Sequence, residues 1–108
     1  MDYKYFANIA AEVAVPPDGI LSRTLLNEER LRVVLFAFSK GQQLTEHTAS
    51  VPAVLHVLEG EALLKLGPDS VEGRPGTWVH MPAHLPHGIE AKTPLILLLQ
   101  MLKGPPAA

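Results

Sequence analysis

The sequence contains no cysteine. That excludes disulfides, thiolate metal sites and a cysteine nucleophile. An excess of one charge is missing too: 9 Lys and Arg stand against 11 Asp and Glu, for a formal net charge of −2. No basic stripe faces a phosphate backbone, so nucleic acid is not an expected partner. The longest apolar run, PLILLLQMLK at residues 94–103, is shorter than a membrane-spanning helix, and no membrane partner is expected. The opening MDYKYFANIA has no basic segment followed by an apolar run and does not read as a secretory signal. A cytoplasmic location is the expectation. There is no glycine-rich phosphate loop at a helix start, which argues against a nucleotide ligand.

What is present is one domain's worth of chain, 108 residues, 47% hydrophobic and 19% charged, which is a globular balance. Ten prolines and eight glycines cut it into short apolar runs. These are ILSRTLL (20–26), LRVVLFAFS (31–39), AVLHVL (53–58), ALLKL (62–66), TWVHM (77–81), GIEAK (88–92) and the PLILLLQMLK run. NEER, Gly41, Gly60, GPDS and VEGRPG read as the breaks between them. Many short strands between turns predict an all-β sandwich or barrel. FANIAAEVAV at residues 6–15 ends at Pro16-Pro17 and predicts at most one short N-terminal helical turn. The expected organisation is a single domain over 1–108, with an arm at 1–19, a core at 20–103 and a flexible tail at 104–108. LILLL (95–99) is apolar at successive positions, so both faces of that strand should be covered. One cover is the core. A partner chain is the expected second cover, which predicts a homodimer.

The chain has five histidines: His47, His56, His80, His84 and His87. Neutral imidazole is the commonest protein ligand for transition metals. Counting by twos from Ala53 puts Ala53, Leu55 and Val57 inward and turns His56 outward. If Val79 and Met81 face the core, His80 faces away from it. Glu46 precedes His47 and points to the opposite face. Glu59, Glu61 and Glu90 read as solvated, so no general acid–base pair emerges. Ser50 and Ser70 lie in no nucleophile motif. Trp78, Phe36 and Phe38 read as core or interface residues. Gln100 interrupts LILLLQML and, if buried, needs partners, which a ligand could supply.

Spacing around the histidines is more specific than their number. Gly41, five residues, His47, and then Gly60 thirteen residues after His47 resembles the first motif of the cupin superfamily. Gly76, five residues, Pro82, and His87 five residues later resembles the second, and VLEGEALLKLG resembles the hairpin between them. The resemblance covers roughly residues 31–102. It implies an antiparallel double-stranded β-helix, a jelly-roll barrel with a pocket between two facing sheets.

The match is incomplete at the site. The family's first motif has a second histidine where this chain has Ala49 and a glutamate where it has Ala53. The second motif has a glycine where His84 stands and an asparagine where Ala91 stands. Of the four ligands the family often uses, His47 and His87 carry over. Residues three apart on a regular strand face opposite sides, which would separate His84 from His87, but Pro82 and Pro86 make this stretch irregular. A neutral site of His47, His84 and His87 stays open, suited to a divalent transition metal, with Zn, Fe, Ni, Cu and Mn not distinguished.

The expected pocket lining is Ala49, Ala53, Leu55, Met81 and Gln100. The reading is a small-molecule-binding single-domain cupin. Its alternatives are a metal-dependent enzyme of dioxygenase, isomerase or decarboxylase type, and a metal-free structural or sensing dimer with Leu55, Val57 and Met81 filling the interior. Whether the chain is catalytic is not decided by its residues alone.

Overall fold

The computed structural model describes residues 1–104. It is almost entirely β: β1 (Ile20–Asn27), β2 (Leu31–Phe38), β3 (Gln43–His47), β4 (Ala53–Glu59), β5 (Ala62–Leu66), β6 (Asp69–Gly73), β7 (Trp78–Met81), β8 (His87–Ala91) and β9 (Leu95–Leu102). One 3-10 turn, Ile9–Glu12, lies in the N-terminal arm, as the sequence predicted. No helix among the described residues is long and apolar enough to cross a membrane. Residues 105–108 of the expected tail lie outside the described residues.

The strands form two antiparallel sheets, β1-β2-β9-β4-β7 and β3-β8-β5-β6. Alternation along β4, β5 and β9 builds the core between them. Ala53, Leu55 and Val57 of β4, Ala62 and Leu64 of β5, and Leu95 and Leu97 of β9 all turn inward and are buried with Phe38, Met81, Ile89 and Ala91. His56 and His80 take the alternate positions and face outward. Gly60 has φ +84, and a Cβ there would collide with the carbonyl of Pro94, so the β4–β5 turn requires glycine.

Two strands exceed the sequence reading. β3 shows almost no burial periodicity, with only Leu44 partly buried, and β6 is exposed at every position but Gly73. The GPDS and VEGRPG breaks are therefore both partly strand. β6 is held by its backbone ladder to β5, from Ala62–Gly73 to Leu66–Asp69, which needs no apolar side chains.

The cover of β9 is also corrected. Ile96 and Leu98 face away from the barrel and join Leu25, Val33, Leu35 and Ala37 in a second buried cluster. Phe6, Ile9, Ala10, Val13 and Val15 pack on that cluster. The chain's own arm, and not a partner, covers the second face there.

Candidate functional site

His47 ends β3 and His87 begins β8, and the ladder places them directly opposite one another. Their ring centroids are 4.3 Å apart with planes tilted by 57°. His87 is 7% exposed, while His47 is exposed. The pair thus joins one buried ring to one exposed ring.

Each ring is fixed by a backbone carbonyl two residues earlier. His47 Nδ1 lies 2.9 Å from the Thr45 oxygen, and His87 Nδ1 lies 2.8 Å from the Leu85 oxygen. A carbonyl oxygen only accepts, so each Nδ1–H donates. In the neutral rings the Nε2 lone pairs are left free to accept a proton donor or bind a metal.

The ladder between the two strands is irregular. Leu44 faces Ile89 and His47 faces His87, so three steps on β3 match two on β8. One extra residue is absorbed as a bulge at Thr45 and Glu46. In a regular strand Leu44 and His47 would face opposite sides. With the bulge, Leu44 packs on the core and His47 meets the inward His87.

His84 lies in the turn between β7 and β8. Its φ is +68, the only positive φ among the described non-glycine residues. The Leu85 amide donates to the Pro82 carbonyl at 3.3 Å, closing a β-turn with His84 at its third position, where glycine is favoured. That is the position at which the resembled motif has glycine. The His84 amide donates to the Ala49 carbonyl at 2.7 Å, so His84 sits beside the position of one missing histidine. Its side chain is exposed, and no group of three His, Cys, Asp or Glu is clustered for a metal among the described residues.

The five expected lining residues divide. Ala53, Leu55 and Met81 are buried in the main core, with Ala53 opposite Met81 and Met101. Ala49 is half-buried beside the His84 turn. Gln100 is opposite Val33 and Val54, on the outer face of β9 with Ile96 and Leu98. A hollow of about 380 Å³ lies over Gly88 and the bulge, on the outside of the smaller sheet, with Gln43, Glu46, Leu63, Lys65 and Glu90 around it.

The far end of that sheet carries an ion pair. Arg74 donates to Glu72 at 2.8 Å and holds its carboxyl below the usual carboxylate range, with Lys92 adding to the effect. The two positioning carbonyls and Gly88 are the site features that residue-type reasoning did not find. A glycine inside the HGIE strand was the available signal, because such a glycine marks a bulge or a close backbone approach.

Comparison with known proteins agrees with this fold. The family model for the cupin domain matches residues 34–101. A conserved protein of unknown function from Streptococcus pyogenes superposes with a TM-score of 0.86 at 27% identity, over 97% of this chain and 92% of that one. A cupin superfamily protein from Desulfitobacterium hafniense gives 0.86 at 22% identity, over 96% and 95%. A conserved barrel domain protein from Leptotrichia buccalis gives 0.81 at 29% identity, over 87% of this chain and 46% of that one. No curated protein sequence matches the chain. With the family's model spanning most of the barrel, the chain belongs to the cupin domain family.

Proposed function

We propose that this chain binds a small, partly apolar molecule at the mouth of its barrel, through a divalent transition metal ion held by His47 and His87. His84 is the third donor. The observation carrying this reading is the pair of Nδ1 hydrogen bonds to Thr45 and Leu85, which leave two Nε2 atoms unshared on rings 4.3 Å apart. The donor set fits such an ion: imidazole suits Zn, Cu, Ni and Fe, and a backbone carbonyl behind the ring is one of the usual partners of a metal-bound histidine. Few protein donors leave positions for water and for the ligand. His84 is beside Ala49 and its side chain is exposed, so in this reading it turns toward the pair when the ion binds. The ion would polarise an oxygen of the bound molecule, while Ala53, Leu55 and Met81 keep water from the barrel behind it.

The burial of Leu55, Val57 and Met81 favours a second reading, a metal-free structural or sensing dimer with a filled interior. In either reading we propose a homodimer. Its support is Trp78, 60% exposed on the edge strand β7, and no longer β9. Catalysis of dioxygenase, isomerase or decarboxylase type is disfavoured, because Ala49 and Ala53 stand where the family supplies its further ligands.

Metal analysis of tag-free protein tests the proposal. The expected result is stoichiometric transition metal in the wild type, lost in a His47→Ala, His87→Ala double variant. Substoichiometric metal that the double variant leaves unchanged would leave only the metal-free reading.

A further inference from the structure

We propose that Gly88 is a positioning residue for the histidine pair: its missing side chain makes room for the β3 bulge that sets His47 against His87. The inference rests on the reading of His47 and His87 as paired donors, and it goes beyond it by naming what creates the pair.

Gly88 is in the interior of β8, where glycine weakens a strand and packs nothing. Backbone freedom does not explain it, since Gly88 is absent from the positive-φ glycines. Space does. A Cβ at Gly88 would lie 3.1 Å from the Leu44 oxygen and 3.3 Å from the Glu46 nitrogen. Both atoms bracket the bulge. They are main-chain atoms and cannot swing aside as the end of a side chain can. The extra residue of β3 therefore crowds the point where a β-carbon at position 88 would sit, and the main chain would have to shift by tenths of an ångström to admit it.

The consequence reaches the site through parity. Leu44 must stay inward to pack on the core, and two residues separate it from His47. Only by absorbing one of them does β3 turn both Leu44 and His47 inward. A side chain at position 88 would force the bulge outward and carry the His47 ring away from His87. The fold would survive, because β3 is an edge strand exposed at all but one position.

The test uses full-length Gly88→Val and Gly88→Ala, and a rescue variant combining Gly88→Val with deletion of Glu46. The deletion removes the extra residue, so a regular ladder would again place His47 opposite His87 and would accept valine. The primary readout is the nuclear Overhauser signal between the two imidazole rings, and the second is zinc affinity. That signal should vanish in Gly88→Val, weaken in Gly88→Ala and return in the rescue variant, with zinc affinity following. A folded Gly88→Val or Gly88→Ala protein with the wild-type signal would overturn the proposal, as would a folded rescue variant without it. If Gly88→Val does not fold, Gly88→Ala and the rescue variant decide by the same criteria. If the wild type binds no zinc, the metal reading fails while the signal between the rings still decides the role of Gly88.

Discussion

The amide of His84 donates to the carbonyl of Ala49 at 2.7 Å, which ties the loop before β8 to the chain just after β3. His84 makes this bond from a left-handed backbone conformation, at a turn position that favours glycine. A β-carbon in that conformation costs about 1–2 kcal/mol. His84→Gly removes the strain, offset by about 0.4–1 kcal/mol from the freer unfolded chain. The variant should therefore melt at the same temperature as the wild type or slightly higher, while zinc affinity falls. His84→Ala keeps the strain and should lose affinity without gaining stability. A clear drop in melting temperature for His84→Gly would contradict the strain argument, and unchanged zinc affinity would remove His84 from the donor set.

The N-terminal arm replaces a partner chain as the cover of Ile96 and Leu98. Removing residues 1–15 would expose these two with Leu25, Val33 and Leu35 as one contiguous apolar patch. Each large side chain returned to water costs about 1.5–3 kcal/mol at full exposure. The truncated chain should unfold at lower urea and self-associate in sedimentation velocity. A truncated chain with the wild-type midpoint would show that the arm does not cover β9 in solution.

Strand facing has a direct check on β5. Leu64 is fully buried between the sheets, and its neighbour Lys65 is exposed. Leu64→Ala should cost about 2–5 kcal/mol, because the rigid core closes only part of the cavity. Lys65→Ala should stay within about 0.5 kcal/mol. Chemical denaturation measures both, and similar losses from the two would mean that β5 is misfaced.

The Glu72–Arg74 pair gives a pH dependence of known sign. Arg74 lowers the Glu72 carboxyl in the folded chain, so the stabilisation is present above the carboxyl's unfolded value. It is lost as the pH falls through the lowered folded value. The pair is exposed on both sides, so solvent screening keeps the contribution small. In Arg74→Gln, the Glu72 carboxyl followed by NMR should titrate at higher pH, with little change in melting temperature at neutral pH. An unmoved Glu72 titration would contradict the pairing.

Much of the barrel was legible because Pro and Gly mark its turns and its buried strands are Leu- and Val-rich. β4 shows this most plainly: Ala53, Leu55 and Val57 alternate with Val54, His56 and Leu58. β6 was illegible because DSVEG buries only its glycine and takes its stability from main-chain bonds to β5. β3 was illegible because its bulge breaks the alternation that reveals a strand. At the site, His47 and His87 could be named from motif spacing. The carbonyls of Thr45 and Leu85 could not, since every residue has a carbonyl and only the fold aims it. The outward placement of Gln100 follows from counting along β9, where Leu97 and Leu99 face the core and Gln100 cannot.

The central claim is that both rings carry their proton on Nδ1 and keep Nε2 for a shared ion. Long-range proton–nitrogen correlation spectra of the imidazoles, recorded before and after zinc addition, test it most directly. The account predicts the Nδ1–H tautomer for neutral His47 and His87, and a zinc-induced shift of the Nε2 signals of both rings together. An Nε2–H tautomer on either ring, or zinc that moves neither signal, would contradict it.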